Sequence, residues 1–308
     1  MPTTSSITSR LVLLDAPSNL GLKPPSPGTV PGCYKLAGAL REAGLLRRLG
    51  AEEGGVVVPP RYDRGDWQPG DGVFNAAALA GYSRRLADRI EGHVRAGDFP
   101  VVLGGDCSIV LGSSLALRRL GRYGLVYLDG HDDFRHPGVD PQGVGAAGGE
   151  DVALVSGRGQ ADLTDLEGLR PYVRDEDLAL LGLRDVENEP DNSQVELTAL
   201  GIHHAPVAAV RRDGPEETAR TVLDRLTASK VAGFWVHMDA DVLDPQVMPA
   251  VDSTEPGGLT IEEVRALLRP LVSSPQCAGF QLTIYDPDLD PDGSSAVLLA
   301  ELLEDVLR

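Results

Sequence analysis

Three short segments concentrate residues that could hold metal ions. Asp129-Gly130-His131-Asp132-Asp133 and His237-Met238-Asp239-Ala240-Asp241 set carboxylates and imidazoles at alternate positions, the second segment running on to Asp244-Pro245. In extended backbone alternate side chains share a face, so Asp129, His131 and Asp133 could converge on one point, as could Asp239 and Asp241. A third segment, Gly104-Gly105-Asp106-Cys107-Ser108, adds a thiol. Any one acidic strand end could equally be a helix cap or a turn. Two such clusters buried together would repel each other strongly unless a cation stood between them. Oxygen-rich ligation with one imidazole suits Mn²⁺ or a similar divalent ion, whereas a dedicated zinc site usually carries more nitrogen or sulfur.

These segments need elements to bring them together. Short runs rich in Val, Leu and Ile predict strands at 11–14, 55–58, 100–103, 123–128, 178–182, 233–238 and 278–284. Longer periodic patterns predict helices at 75–95, 108–120, 215–229, 260–271 and 294–307. Strands apolar on both faces and joined by helices imply a mainly parallel sheet covered on each side, a three-layer α/β/α architecture. Ligands in such sheets bind beyond the carboxyl ends of the strands, where the three segments fall. The Gly- and Pro-rich stretches 23–32 and 137–149 read as loops of a single domain spanning 1–308, with 1–9 a flexible tail.

The chain has 308 residues and carries 28 Lys and Arg against 46 Asp and Glu, a formal charge of −18. Such a field repels polyanions, so nucleic acid is not an expected partner; small cations and metal ions are, alongside a surface that favours solubility. Three scattered cysteines argue for a reducing compartment rather than a disulfide framework. A polar start and the lack of an apolar run of about 18 residues argue against export and membrane insertion, so a cytoplasmic location is expected.

In order and content the three segments resemble the arginase, agmatinase and formiminoglutamase (ureohydrolase) family, which carries a GGDHS, a D-x-H-x-D and an S-x-D-x-D-x-x-D-P segment. Gly182-Leu-Arg-Asp-Val-Glu187, Gly257-Gly258-Leu259-Thr260 and the opening Ala16-Pro-Ser-Asn-Leu-Gly21 extend the resemblance over nearly the whole chain. It implies the arginase-like fold, a binuclear manganese site, a small-molecule substrate and a possible homo-oligomer. Asp129 and Asp239 would bridge the two ions, Cys107 and Asp133 would complete the first site, and His131 and Asp241 the second. The implied activity is hydrolysis of a linear, non-peptide C–N bond in a guanidino, hydroxyguanidino, formimino or related amide compound. The alternative is a non-catalytic relative that keeps the fold as a ligand-binding or regulatory protein.

Cys107 stands where the family has a histidine. As a ligand it would be a thiolate, weakening Mn²⁺ at the first site and admitting Zn²⁺ or Fe²⁺; otherwise it is a small buried cysteine and the first ion is lost. Aligned on Pro287, the family's guanidinium-pairing glutamate becomes Ile284, with Gln281 and Asp286 the nearest polar alternatives. An aliphatic side chain cannot pair with a guanidinium. The substrate implied is therefore something other than ordinary arginine. The proton-shuttling histidine is also missing from 143–151, where Glu150 and Asp151 lie, with His136 nearby; Glu150 is either a general acid or a solvated loop residue. His237 replaces a serine and could orient a ligand, contact substrate or simply pack. Asp133, Glu150 and His237 are thus the candidate catalytic side chains. Arg135, Glu187, Ser253 and Asp286 are the substrate-side candidates; Arg135 suits a carboxylated substrate, and both it and Glu187 could instead form surface salt bridges.

Overall fold

The computed structural model describes residues 7, 9–139, 145–184 and 192–308. Eight strands form one all-parallel sheet: β1 (Leu11–Asp15), β2 (Glu52–Val56), β3 (Phe99–Leu103), β4 (Gly124–Leu128), β5 (Leu178–Leu183), β6 (His203–Pro206), β7 (Phe234–Asp239) and β8 (Cys277–Thr283). Their spatial order is β2-β1-β3-β8-β7-β4-β5-β6. Helices cover both faces, so the architecture is the three-layer α/β one that the apolar runs imply.

Side-chain alternation divides the core in two. Leu125 and Tyr127 of β4 pack with Trp235 on one face, whereas Val126 and Leu128 pack with Val236 and Phe280 on the other. Burial on both sides explains why the inner strands read as continuous apolar runs. The helices Ala76–Arg95 and Val110–Leu120 lie together on the Tyr127 face; Pro215–Ala228, Ile261–Val272 and Ser294–Leu307 cover the other. A capping box between Thr260 and Glu263 starts Ile261–Val272.

Two strands depart from the sequence expectation. β2 starts before the apolar run 55–58 and ends within it, because as an edge strand it pairs only with β1 and can expose Glu52 and Glu53. β6, His203–Pro206, has only four residues on the opposite edge, three of them half-buried, and no apolar signature. The sheet order places β3, β8, β7 and β4 side by side, so the three ligand-rich segments and the end of β8 emerge around one opening.

Candidate metal centre

The Gly104-Gly105 turn leaves β3 under severe steric constraint. A Cβ on Gly105 would sit 1.7 Å from the Ser18 carbonyl oxygen, so only glycine lets the two backbones meet. Asp106 then caps the turn that begins at Cys107: its Oδ1 accepts from Ser108 N at 3.0 Å and its Oδ2 from Ser18 Oγ at 2.7 Å. The Asp106 carboxylate is spent on this turn, and Cys107 is delivered, buried, to the cavity.

Two groups of donors result. Cys107, Asp133 and Asp239 offer ligand atoms within 4.8 Å of one another, and so do Asp129, His131 and Asp241. Five of the six line a cavity of about 480 Å³; Asp129 is buried and does not. Simple alternation does not produce this arrangement. β4 ends at Leu128, and Asp133 has a left-handed backbone, φ 42°, which turns its carboxylate to Cys107 and Asp239 instead of to His131. Likewise Asp239 ends β7 while Asp241 sits in the following 3₁₀ turn, so the pair divides between the groups.

The electrostatics call for a cation. Burial, compounded by neighbouring carboxylates, raises the pKa of Asp129, Asp133 and Asp239 well above the usual range. His131 Nδ1 lies 3.2 Å from Asp241 Oδ2 and 3.5 Å from Asp129 Oδ1; burial disfavours its charge, but these two acids overcome it and push its pKa up to about 12. One imidazolium cannot satisfy the cluster, since Asp129 Oδ2 and Asp241 Oδ1 are buried without a hydrogen-bond partner among the described residues. Orphaned carboxylate oxygens directed at grouped donors fit divalent ions. Burial and the surrounding acids also raise the Cys107 thiol, whose Sγ lies 3.3 Å from Gly148 O, so becoming a ligand requires a cation able to displace its proton.

His237 is fully buried on the Tyr127 face of the sheet and does not line the cavity, so the structure gives no support to substrate contact. Gln281 Oε1 accepts from Trp235 Nε1 at 2.9 Å and Ser113 Oγ at 2.7 Å, which turns the Gln281 amide nitrogen to His237 Nδ1 at 2.5 Å. The ring proton therefore belongs on Nε2, 2.8 Å from Asp239 Oδ1. Burial depresses the His237 pKa to about 3 and keeps the ring neutral. Thr283 Oγ1 contacts the same Asp239 oxygen. His237 stacks on Tyr127, 4.1 Å between centroids, and Tyr127 OH reaches Asp133 Oδ2 and Asp151 Oδ1, each at 3.0 Å. One network thus orients a carboxylate from each of two strand ends.

Other expected site residues separate into two sets. Arg135 and Ser253 line the cavity, as do Lys23, Asp252 and Glu255, which the sequence reading did not single out. Glu150 is not a solvated loop acid: it is buried, accepts from Gly145 N at 3.0 Å and does not line the cavity. Asp286 does not replace the missing glutamate, because its oxygens are held by Gly32 N at 3.0 Å and Asp288 N at 2.9 Å away from the cavity wall. Gln281 is equally withdrawn in the His237 network. Ile284 does reach the wall, with φ 74°, a strained conformation for a β-branched residue, costing about 1–3 kcal/mol. Glu187 lies outside the described residues. Arg184 lines the cavity but spends its guanidinium on the Asp241, Val242, Leu243 and Glu255 carbonyls, bracing the loop after β7.

The arginase family model matches residues 25–308. An arginase of Agrobacterium fabrum (strain C58 / ATCC 33970) is 32% identical over 297 residues, covering 92% of this chain and 88% of that protein. The native Bacillus caldovelox arginase structure at pH 5.6 superposes with a TM-score of 0.86 at 24% identity, over 97% of this chain and 98% of the other. The formimidoylglutamase structure from Bacillus subtilis subsp. subtilis str. 168 gives 0.74 at 20% identity, over 97% and 86%.

Proposed function

The chain belongs to the arginase family, and from that premise we propose that it hydrolyses a guanidino or amidino C–N bond in a small carboxylated substrate other than ordinary arginine. The observation that carries this reading is the convergence of two donor groups, with buried unpartnered carboxylate oxygens, on one cavity. Cys107, Asp133 and Asp239 would hold one ion and Asp129, His131 and Asp241 the other. Divalent ions there, Mn²⁺ by family and Zn²⁺ or Fe²⁺ favoured by the thiol, would supply Lewis-acid activation of water at neutral pH. Water adds to the trigonal carbon, the C–N bond breaks, and the leaving nitrogen takes a proton.

The chain's own residues set what can enter. Arg135 and Lys23 supply positive charge suited to a carboxylate, and Asp252, Ser253 and Glu255 form an acidic and hydroxyl-bearing stretch of the same cavity. The Asp252 side chain is open to solvent from the cavity, yet protein surrounds it; that burial, with Asp241 and Asp286 opposing its charge and His131 favouring it, pushes its pKa up to about 6. With Ile284 unable to pair with a cation, Asp252 is the carboxylate we assign to the substrate's positive group. His237 positions Asp239, and Glu150 shapes the loop at Gly145.

The test is urea, ammonia and formamide release by metal-loaded protein across arginine, guanidino acids of different chain length, agmatine and formimino compounds. Preference for a carboxylated guanidino or amidino compound over arginine is expected; faster turnover of arginine would refute the substrate assignment. Ile284 in the cavity wall also favours a second reading, a non-catalytic binding relative, which predicts saturable ligand binding by metal-loaded protein without turnover of any of these.

A further inference from the structure

At the opposite end of the strands, a second cavity of about 230 Å³ is lined by Arg118, Arg122, Arg170 and Arg174 with Tyr123. Arg122 precedes β4 and the cavity's one lining carboxylate, Asp177, precedes β5, so the site lies at the amino ends of strands whose carboxyl ends face the metal cavity. A five-residue strand puts roughly 17 Å between the two. In a chain with 46 acidic and 28 basic residues, four guanidinium groups around one small cavity run against the composition.

The guanidinium groups are not all consumed by protein partners. Buried Asp177 grips Arg122 through two bonds, 2.7 and 2.9 Å, fixing its orientation. Exposed Glu176 accepts from Arg122 at 3.1 Å and lies 3.9 Å from Arg174. Arg118 spends Nε on the Leu169 and Pro171 carbonyls, both at 3.2 Å. Among the described residues the terminal nitrogens of Arg118 and the whole Arg170 guanidinium take no acceptor. Two carboxylates therefore face four cations, some already oriented, beside a tyrosine ring.

We propose that this cavity binds the phosphate group of a small molecule, separately from the catalytic cavity and independently of the reaction assigned there. Planar guanidinium forks match phosphate oxygens in pairs, and the excess positive charge matches a dianion. The volume admits a phosphate and a small attached group, with Tyr123 available to an aromatic one.

Calorimetric titration of the intact metal-loaded protein with inorganic phosphate and with phenyl phosphate, at low salt, tests this. Saturable binding is expected, weakened roughly tenfold or more in Arg170→Gln/Arg174→Gln, less in Arg170→Lys/Arg174→Lys, and unchanged in Asp239→Asn. Tighter binding of phenyl phosphate would identify an aromatic phosphate ester as the ligand class; equal binding, the phosphate group alone. No saturable binding, equal affinity in the Gln/Gln variant with its fold intact, or loss only in Asp239→Asn would overturn the proposal, the last by placing the anion at the metal centre.

Discussion

The two ends of the cavity, one assigned to metal and the other to substrate, are built in opposite ways. At the metal end, buried carboxylates are held from behind by fixed partners: Gln281, His237 and Thr283 behind Asp239, and Tyr127 behind Asp133. At the substrate end, Arg135, Asp252, Ser253 and Glu255 are exposed side chains on loops, with strained Ile284 among them. Chemistry common to a family needs ligands placed to within tenths of an ångström, and strand ends provide that. Substrate choice needs variation, and loops permit it at little cost to the core.

The largest effect that sharpens this contrast is on the metal-free protein. Raised pKa values mean that the folded carboxylates hold protons that the unfolded chain releases above about 3.8, so stability falls as pH rises from there toward neutrality. Thermal melts of stripped protein should show Tm dropping over that window, and saturating Mn²⁺ or Zn²⁺ restoring about 4 kcal/mol at a thousandfold excess over Kd. A flat melt profile with no metal response would remove the basis of the metal end.

Next in size is His237→Ala, which leaves every ligand in place but unties Asp239. Metal affinity measured by competition with a chelator should fall about 10- to 100-fold. An unchanged affinity would mean that strand geometry alone orients the carboxylate.

A smaller effect belongs to the substrate end. Asp252→Asn should raise KM about tenfold, or ~1.4 kcal/mol, with kcat and metal content preserved. Smallest, Asp286→Asn should cost about 1 kcal/mol in a denaturant melt by weakening its bond to Gly32 N, with KM unmoved. A KM change there would return Asp286 to the list of substrate contacts.

The same contrast governs what the sequence discloses. Asp129, His131, Asp133, Asp239 and Asp241 are visible because they follow apolar strands, and the sheet architecture says where strand ends meet. Their division into two groups is not visible, since it depends on the left-handed backbone at Asp133 and the 3₁₀ turn after Asp239. Alternation would have put Asp133 beside His131. The burial of Glu150 and the capping duty of Asp286 were equally hidden, because an acid in a loop looks the same in sequence whether it faces solvent, backbone or substrate. Gln281, His237 and Trp235 form a polar chain only because β7 and β8 pair in register, His237 beside Gln281. A non-apolar residue in an otherwise apolar strand was the available signal.

Metal content and hydrolysis measured together on the parent protein, Asp129→Ala and Asp239→Ala decide whether these carboxylates hold a catalytic metal. The parent should retain divalent metal after purification and turn over a guanidino or amidino compound, and each variant should lose metal and fall to the background rate. Full metal content and full activity in both variants would contradict that role.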